Sequence, residues 1–251
     1  MHRYFLEIAY KGTEFSGWQR QNHVPTVQQV IEDQMAKILK RKIRIHGCGR
    51  TDAGVHAFQY FFHADFTSDP LNLLDKLRLD LPSDIAIVHI YRVSPRFNAQ
   101  KSALSRTYVY KIHQIQDPFL SSLSYYEPFI TDLESMNTAL AYLHGQHDFR
   151  YFCKRPDKNK NCMCTIKSAS LQIQENKNMV FEFNANRFLH HMIRLIMGNL
   201  LKVGKGYLEL EQFKAYIDLK EKPKYFELAP PQGLYLSKIE YEFPLIPLET
   251  I

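Results

Sequence analysis

The sequence predicts an α+β fold made of two similar halves, with antiparallel or mixed sheets backed by helices. Three observations predict it. Segments of alternating apolar residues are interleaved with segments whose apolar residues recur every three or four positions. The order strand, helix, strand, strand, helix, strand is read twice along the 251 residues. An irregular stretch after Pro95 ends near Ala103 to Ser105, a seam that divides the chain into halves 1–104 and 105–251.

Each element has its own warrant. Tyr4 to Tyr10 alternates apolar and polar residues and reads as a strand. Gly12, Gly17 and Pro25 punctuate the loop after it, and Thr26, with Gln29 three residues on, forms a capping box. Val27, Val30, Ile31, Met35, Ile38 and Leu39 then share one helical face that would cover a sheet. Ile43 to His46 and Phe58 to Phe66 are expected as strands on either side of a small-residue loop. A helix over Leu71 to Leu79, stopped by Pro82, precedes the β-branched strand Ile85 to Val93.

The second half repeats that order. Thr107 to Ile115 reads as a strand, and Thr131 with Glu134 forms a second capping box before a helix expected to stop at Gly145. Strands are expected at Ala169 to Ile173 and Met179 to Asn184, then a helix from Phe188 to Val203 ended by Gly204. The last strand lies near Leu234 to Tyr241.

Composition narrows the function. Hydrophobic residues make up 45% and charged residues 23%, the balance of a globular protein. No apolar run reaches the length of a membrane span, and Met1-His2-Arg3-Tyr4 leads straight into a strand pattern without a signal-peptide profile. The expectation is a cytoplasmic protein. A net charge of +6 permits a polyanionic partner. The charge is clustered in Lys37, Lys40, Arg41, Lys42 and Arg44, and again in Lys154, Arg155, Lys158 and Lys160. Tyr151 and Phe152 beside the second cluster suit a nucleic acid, where phosphate contacts and base stacking act together. Cys48, Cys153, Cys162 and Cys164 lack the spacing of a zinc ribbon and read as reduced thiols, so no metal is expected.

The most informative run is Gly49-Arg50-Thr51-Asp52-Ala53-Gly54-Val55-His56-Ala57. Glycines and alanines let the backbone turn tightly and leave Asp52 and Arg50 uncovered. Strands on both sides would hold that loop, and a fixed carboxylate on an anchored loop is suited to catalysis. The alternative is a turn whose Asp and Arg satisfy each other or the backbone.

This run resembles the active-site signature of the tRNA pseudouridine synthase I (TruA) family. So do Gly17-Trp18-Gln19-Arg20-Gln21, Arg106-Thr107-Tyr108-Val109-Tyr110, Asn186 to Arg194, and Gln232-Gly233-Leu234-Tyr235-Leu236, in the family's order. The resemblance implies a pseudouridine synthase fold with a basic cleft between its halves, and a homodimer. It implies isomerisation of uridine to pseudouridine at positions 38 to 40 of the tRNA anticodon stem-loop, without a cofactor.

Residue by residue, the resemblance makes Asp52 the catalytic aspartate, Arg194 its partner and Tyr108 the substrate tyrosine. Asp52 could attack C6 or C1′ or remove the C2′ proton, and the sequence leaves these open. By spacing alone Tyr108 and Tyr110 share a strand face and only pack; the motif selects Tyr108. Arg50 could hold a phosphate or fill the gap left by a flipped base. Phe97-Asn98-Ala99-Gln100 carries glutamine where the family commonly has arginine, and Lys101 could supply the missing charge. With the second basic cluster, these complete the expected substrate contacts. His190 and His191, adjacent on the expected helix, would point in different directions, which argues against a shared metal, and neither is assigned a catalytic role. A competing reading is an RNA-binding protein without catalysis, which release of tritium from 5-tritiated uridine would exclude.

Overall fold

β1, His2–Tyr10, is an interior strand of its sheet, and Tyr4 to Ile8 are buried on both of its faces. It pairs antiparallel with β3, His56–Phe66, on one side and with β4, Ile85–Val93, on the other. The structure is a computed structural model that describes residues 1–67, 69–158, 161–225 and 227–248. Its chain divides into one unit of Met1–Leu104 with Tyr235–Ile251 and another of Ser105–Leu234.

In the first unit the strand order is β4-β1-β3-β10, where β10 is Leu234–Tyr241 and runs parallel to β3. Tyr235 and Leu236 pair with His56 and Ala57, which is why the end of the chain groups with the N-terminal unit rather than closing the 105–251 half. The two-residue strand β2, His46–Gly47, pairs antiparallel with His63 and Phe62 of β3. Ile43 to Ile45 make no strand, a correction to the expected Ile43–His46. Arg44, in the middle of that stretch, is exposed, and the Ile45 N–H donates to Glu32 Oε1 at 3.4 Å in place of a strand partner.

α1, Val27–Leu39, buries Val27, Ile31 and Met35 on the expected face. Thr26 caps it by accepting from the Gln29 backbone N–H at 3.3 Å. The reciprocal half of the capping box is missing, because Gln29 Oε1 is buried with no hydrogen-bond partner among the described residues. α2, Leu71–Asp80, packs on α1 and β4.

In the second unit the strand order is β5-β9-β8-β7, with antiparallel neighbours, formed by Ala103–His113, Met179–Ala185, Met163–Ile173 and Gly145–Asp148. A short β6, Tyr125–Tyr126, adds in parallel to β5. α3, Leu133–Tyr142, packs on α4, Met192–Gly204, on α5, Leu210–Ile217, and on β8.

The cap of α3 is Asp132, which accepts from Ser135 N–H at 2.9 Å. Thr131 instead donates its backbone N–H to the Gly204 carbonyl, so the expected Thr131–Glu134 box is not formed. Gly145 opens β7 with φ +102° rather than stopping the helix. α4 begins at Met192, later than expected, because His191 takes a left-handed conformation with φ +65°. The four cysteines are buried and form no disulfide, and burial pushes the Cys164 thiol up to about 11. Among the described residues no helix is long and apolar enough to cross a membrane.

Candidate active site

The loop from Cys48 to Val55 links β2 to β3 and is tied down at almost every residue. Cys48 N–H donates to the Phe61 carbonyl at 2.8 Å. Tyr60 donates its hydroxyl to the Gly49 carbonyl at 2.7 Å. The buried hydroxyls of Tyr10 and Thr51 share a hydrogen bond of 2.9 Å. Val55 N–H returns to the Asp52 carbonyl at 3.2 Å, closing a turn with Gly54 at its third position. Gly54 has φ +77°, the conformation a type II turn requires there. Asp52 is thus held half-buried at the start of a tight turn, while Arg50 is exposed.

A second segment braces this loop from the other side. Trp18 N–H donates to the Thr51 carbonyl at 3.3 Å and Gly54 N–H to the Phe15 carbonyl at 3.1 Å. The Trp18 ring lies 4.1 Å from that of Tyr60. A Cβ on Gly47 would come within 2.1 Å of the Tyr60 hydroxyl and 2.5 Å of Trp18 Nε1. The Gly17-Trp18 motif therefore braces the Asp52 loop. In the sequence it is legible only as a motif; its bracing role follows from a long-range contact no local pattern reveals.

In the second unit, Tyr108 and Tyr110 lie on β5 and separate by burial. Tyr110 is fully buried, donates to the Pro230 carbonyl at 2.9 Å, and has its phenol pushed far up by burial, with Tyr125 adding to the rise and Arg194 opposing it. Tyr108 is half-buried and meets Phe188 edge-on at 5.2 Å.

Arg194 lies near the start of α4, half-buried, and donates Nε to the Ala229 carbonyl at 2.8 Å. Ala229 N–H returns to the Arg194 carbonyl at 3.0 Å. That double contact depends on Gly198, where a Cβ would lie 2.2 Å from the Glu227 carbonyl oxygen. The bare face of the helix lets the 227–229 strap lie on it, and the strap orients the guanidinium.

The remaining expected contacts are placed as follows. Phe97 stacks face to face with Phe243 at 3.7 Å, so its ring packs within the first unit. Asn98 accepts from the backbone N–H groups of Gln100 and Lys101, leaving both residues exposed on one turn. In the second unit Lys154 and Arg155 are exposed, and Lys154 N–H is anchored to the His190 carbonyl at 3.2 Å. Lys160 lies outside the described residues, and of Lys158 only the backbone is described. His190 and His191 precede α4 rather than lying within it, and their rings sit 4.1 Å apart. The expectation that they point in different directions is corrected by the left-handed turn at His191.

Comparison with known proteins adds an independent line. A family model described as tRNA pseudouridine synthase matches residues 8–93 and 139–242. These ranges contain the Trp18, Asp52, Arg194 and Tyr235 motifs but omit the Phe97 to Lys101 turn and Tyr108. The tRNA pseudouridine synthase A of Parabacteroides distasonis is 39% identical over 252 residues, covering 99% of this chain and 100% of its own. That of Porphyromonas gingivalis is 36% identical over 246 residues, covering 96% and 98%. That of Francisella tularensis subsp. novicida is 36% identical over 247 residues, covering 96% and 95%. With a family model over most of its length and full-length relatives above a third identical, this chain belongs to the tRNA pseudouridine synthase family.

Proposed function

We propose that this chain is an isomerase that converts uridine to pseudouridine at positions 38 to 40 of the tRNA anticodon stem-loop, with Asp52 as its catalytic carboxylate. The observation that carries the reading is the braced Cys48–Val55 loop, which holds one half-buried carboxylate in a family of tRNA pseudouridine synthases. The reaction breaks the bond from C1′ to uracil N1, turns the base, and joins C1′ to C5. Nothing is oxidised or reduced, and one carboxylate suffices to begin it.

In this reading Arg194 is the partner of the catalytic carboxylate, its guanidinium preset by the Ala229 strap. Tyr108, the half-buried tyrosine of its strand, stacks on the extruded uracil. Arg50, Gln100, Lys101, Lys154, Arg155, Lys158 and Lys160 engage the RNA backbone, and Phe97 supports the turn that presents two of them. Recognition is by shape and phosphates, because the A-form major groove is closed to side chains.

The protein acts in the cytoplasm as a homodimer in this proposal. Exposed Ile115, Phe119 and Phe129 in the second unit supply apolar surface that association would cover. Mapping pseudouridine in bulk tRNA after incubation with wild-type and Asp52→Asn protein tests the reading. New pseudouridine with the wild type alone supports it; none with either, or equal amounts with both, overturns it.

A further inference from the structure

The first basic cluster has no part in the site above. Arg41, Lys42 and Arg44 line an open concavity of about 250 Å³ in the first unit, together with His46, His63 and Asp65. Asp65 is already engaged: Arg3 donates Nε and a terminal nitrogen to its two oxygens, both at 2.8 Å. That guanidinium holds the Asp65 carboxyl below its ordinary range.

His46 and His63 stack with ring centroids 5.0 Å apart. Burial, helped by Arg3, brings His63 down to about 4, and burial with Arg44 lowers His46. Both imidazoles are therefore neutral near pH 7. Arg41, Lys42 and Arg44 are exposed, and among the described residues they make no ion pair or side-chain hydrogen bond.

Three like charges this close repel one another unless an anion joins them. Here the local carboxylate is spent and the imidazole wall is uncharged, so the counter-charge must come from outside the unit. The concavity is open and its donors include two guanidinium forks, which match a phosphate oxygen pair.

Its position says which phosphate. β3 starts at His56, directly after the Asp52 loop, and reaches the concavity at His63. At the rise of a strand that separation is about 23 Å. A phosphate held there belongs to a different part of the RNA from the uridine at Asp52.

We propose that the Arg41–Lys42–Arg44 concavity is a phosphodiester-binding subsite that grips the tRNA backbone away from the isomerised uridine. This rests on the tRNA reading above. Phosphate contacts of this kind set register and orientation without reading sequence.

The test combines Arg41→Ala, Lys42→Ala and Arg44→Ala in one variant. A control carries Lys167→Ala, Lys222→Ala and Lys224→Ala, which remove the same charge from exposed positions elsewhere. Kd for fluorescently labelled full-length tRNA is measured from 50 to 300 mM KCl, after thermal melts establish that both variants are folded. The subsite variant is expected to bind about tenfold more weakly and to lose roughly two units of the salt slope. The control should stay near wild type, and Arg41→Lys with Arg44→Lys should recover most of the slope. Wild-type affinity and slope in the subsite variant, or an equal loss in the control, would overturn the proposal. Wild-type protein that binds tRNA but forms no pseudouridine would sink the activity reading alone, while the binding comparison still decides the subsite.

Discussion

A methyl group on Gly17 would sit 2.3 Å from the carbonyl oxygen of Thr51, the residue before Asp52. Gly17 also has φ +85°, a conformation that costs other residues about 1–2 kcal/mol. Gly17→Ala therefore has to push the Asp52 loop away from its brace. Because an ångström of misplacement at a catalytic group can cost about a hundredfold, we expect pseudouridine formation to fall at least tenfold. Far-UV circular dichroism should be unchanged. A variant with wild-type turnover would show that this contact does not position Asp52.

Tyr108 and Tyr110 should separate in opposite directions. Tyr110→Phe leaves the half-buried Pro230 carbonyl without its donor, at a cost of about 1 kcal/mol in urea unfolding. Its turnover at a temperature where it stays folded should change little. Tyr108→Phe should unfold with the wild type but alter turnover. The reverse pattern would assign the substrate role to the wrong tyrosine.

That pair shows what the sequence could and could not say. β-Branched residues mark Ile85–Val93 as the strand that β4 forms, and the strand expected near Leu234 to Tyr241 is β10, because strand preference is legible in a short stretch of sequence. Two-residue spacing put Tyr108 and Tyr110 on one face but could not tell which was covered, since that depends on Pro230, which is remote in the chain. His191 looked helical by its neighbours, yet its left-handed backbone starts α4 at Met192. α5 was missed altogether. It is a short helix whose Phe213, Tyr216 and Ile217 are buried against partners distant in sequence.

Arg194 supplies a charge and also a directed donor. Arg194→Lys keeps the charge but loses the Nε bond to Ala229, about 1 kcal/mol of stability. Lysine also lacks the fixed fork that the strap orients. We expect a small drop in melting temperature and single-turnover rates reduced at least a hundredfold, with Arg194→Ala inactive. Near-normal single turnover in either variant would remove Arg194 from the site.

The stacked histidines make stability depend on pH in a defined window. His63 Nδ1 accepts from Ala99 N–H at 3.2 Å, a bond that protonation destroys. Its pKa is lowered to about 4 in the folded protein, against about 6.5 when unfolded. Below 6.5 the unfolded chain takes up a proton that the folded one refuses, so stability falls as pH drops from 6.5 towards 4 and this contribution levels off beneath it. His46 and His113, also lowered mainly by burial, act in the same direction. Asp65 acts only below its ordinary value of 3.8, so it does not confuse the window. His63→Asn offers an oxygen near the Nδ1 position and does not titrate, so the slope of urea-unfolding free energy between pH 6.5 and 4 should flatten. An unchanged slope would mean that His63 takes up its proton as readily in the folded chain as in the unfolded one.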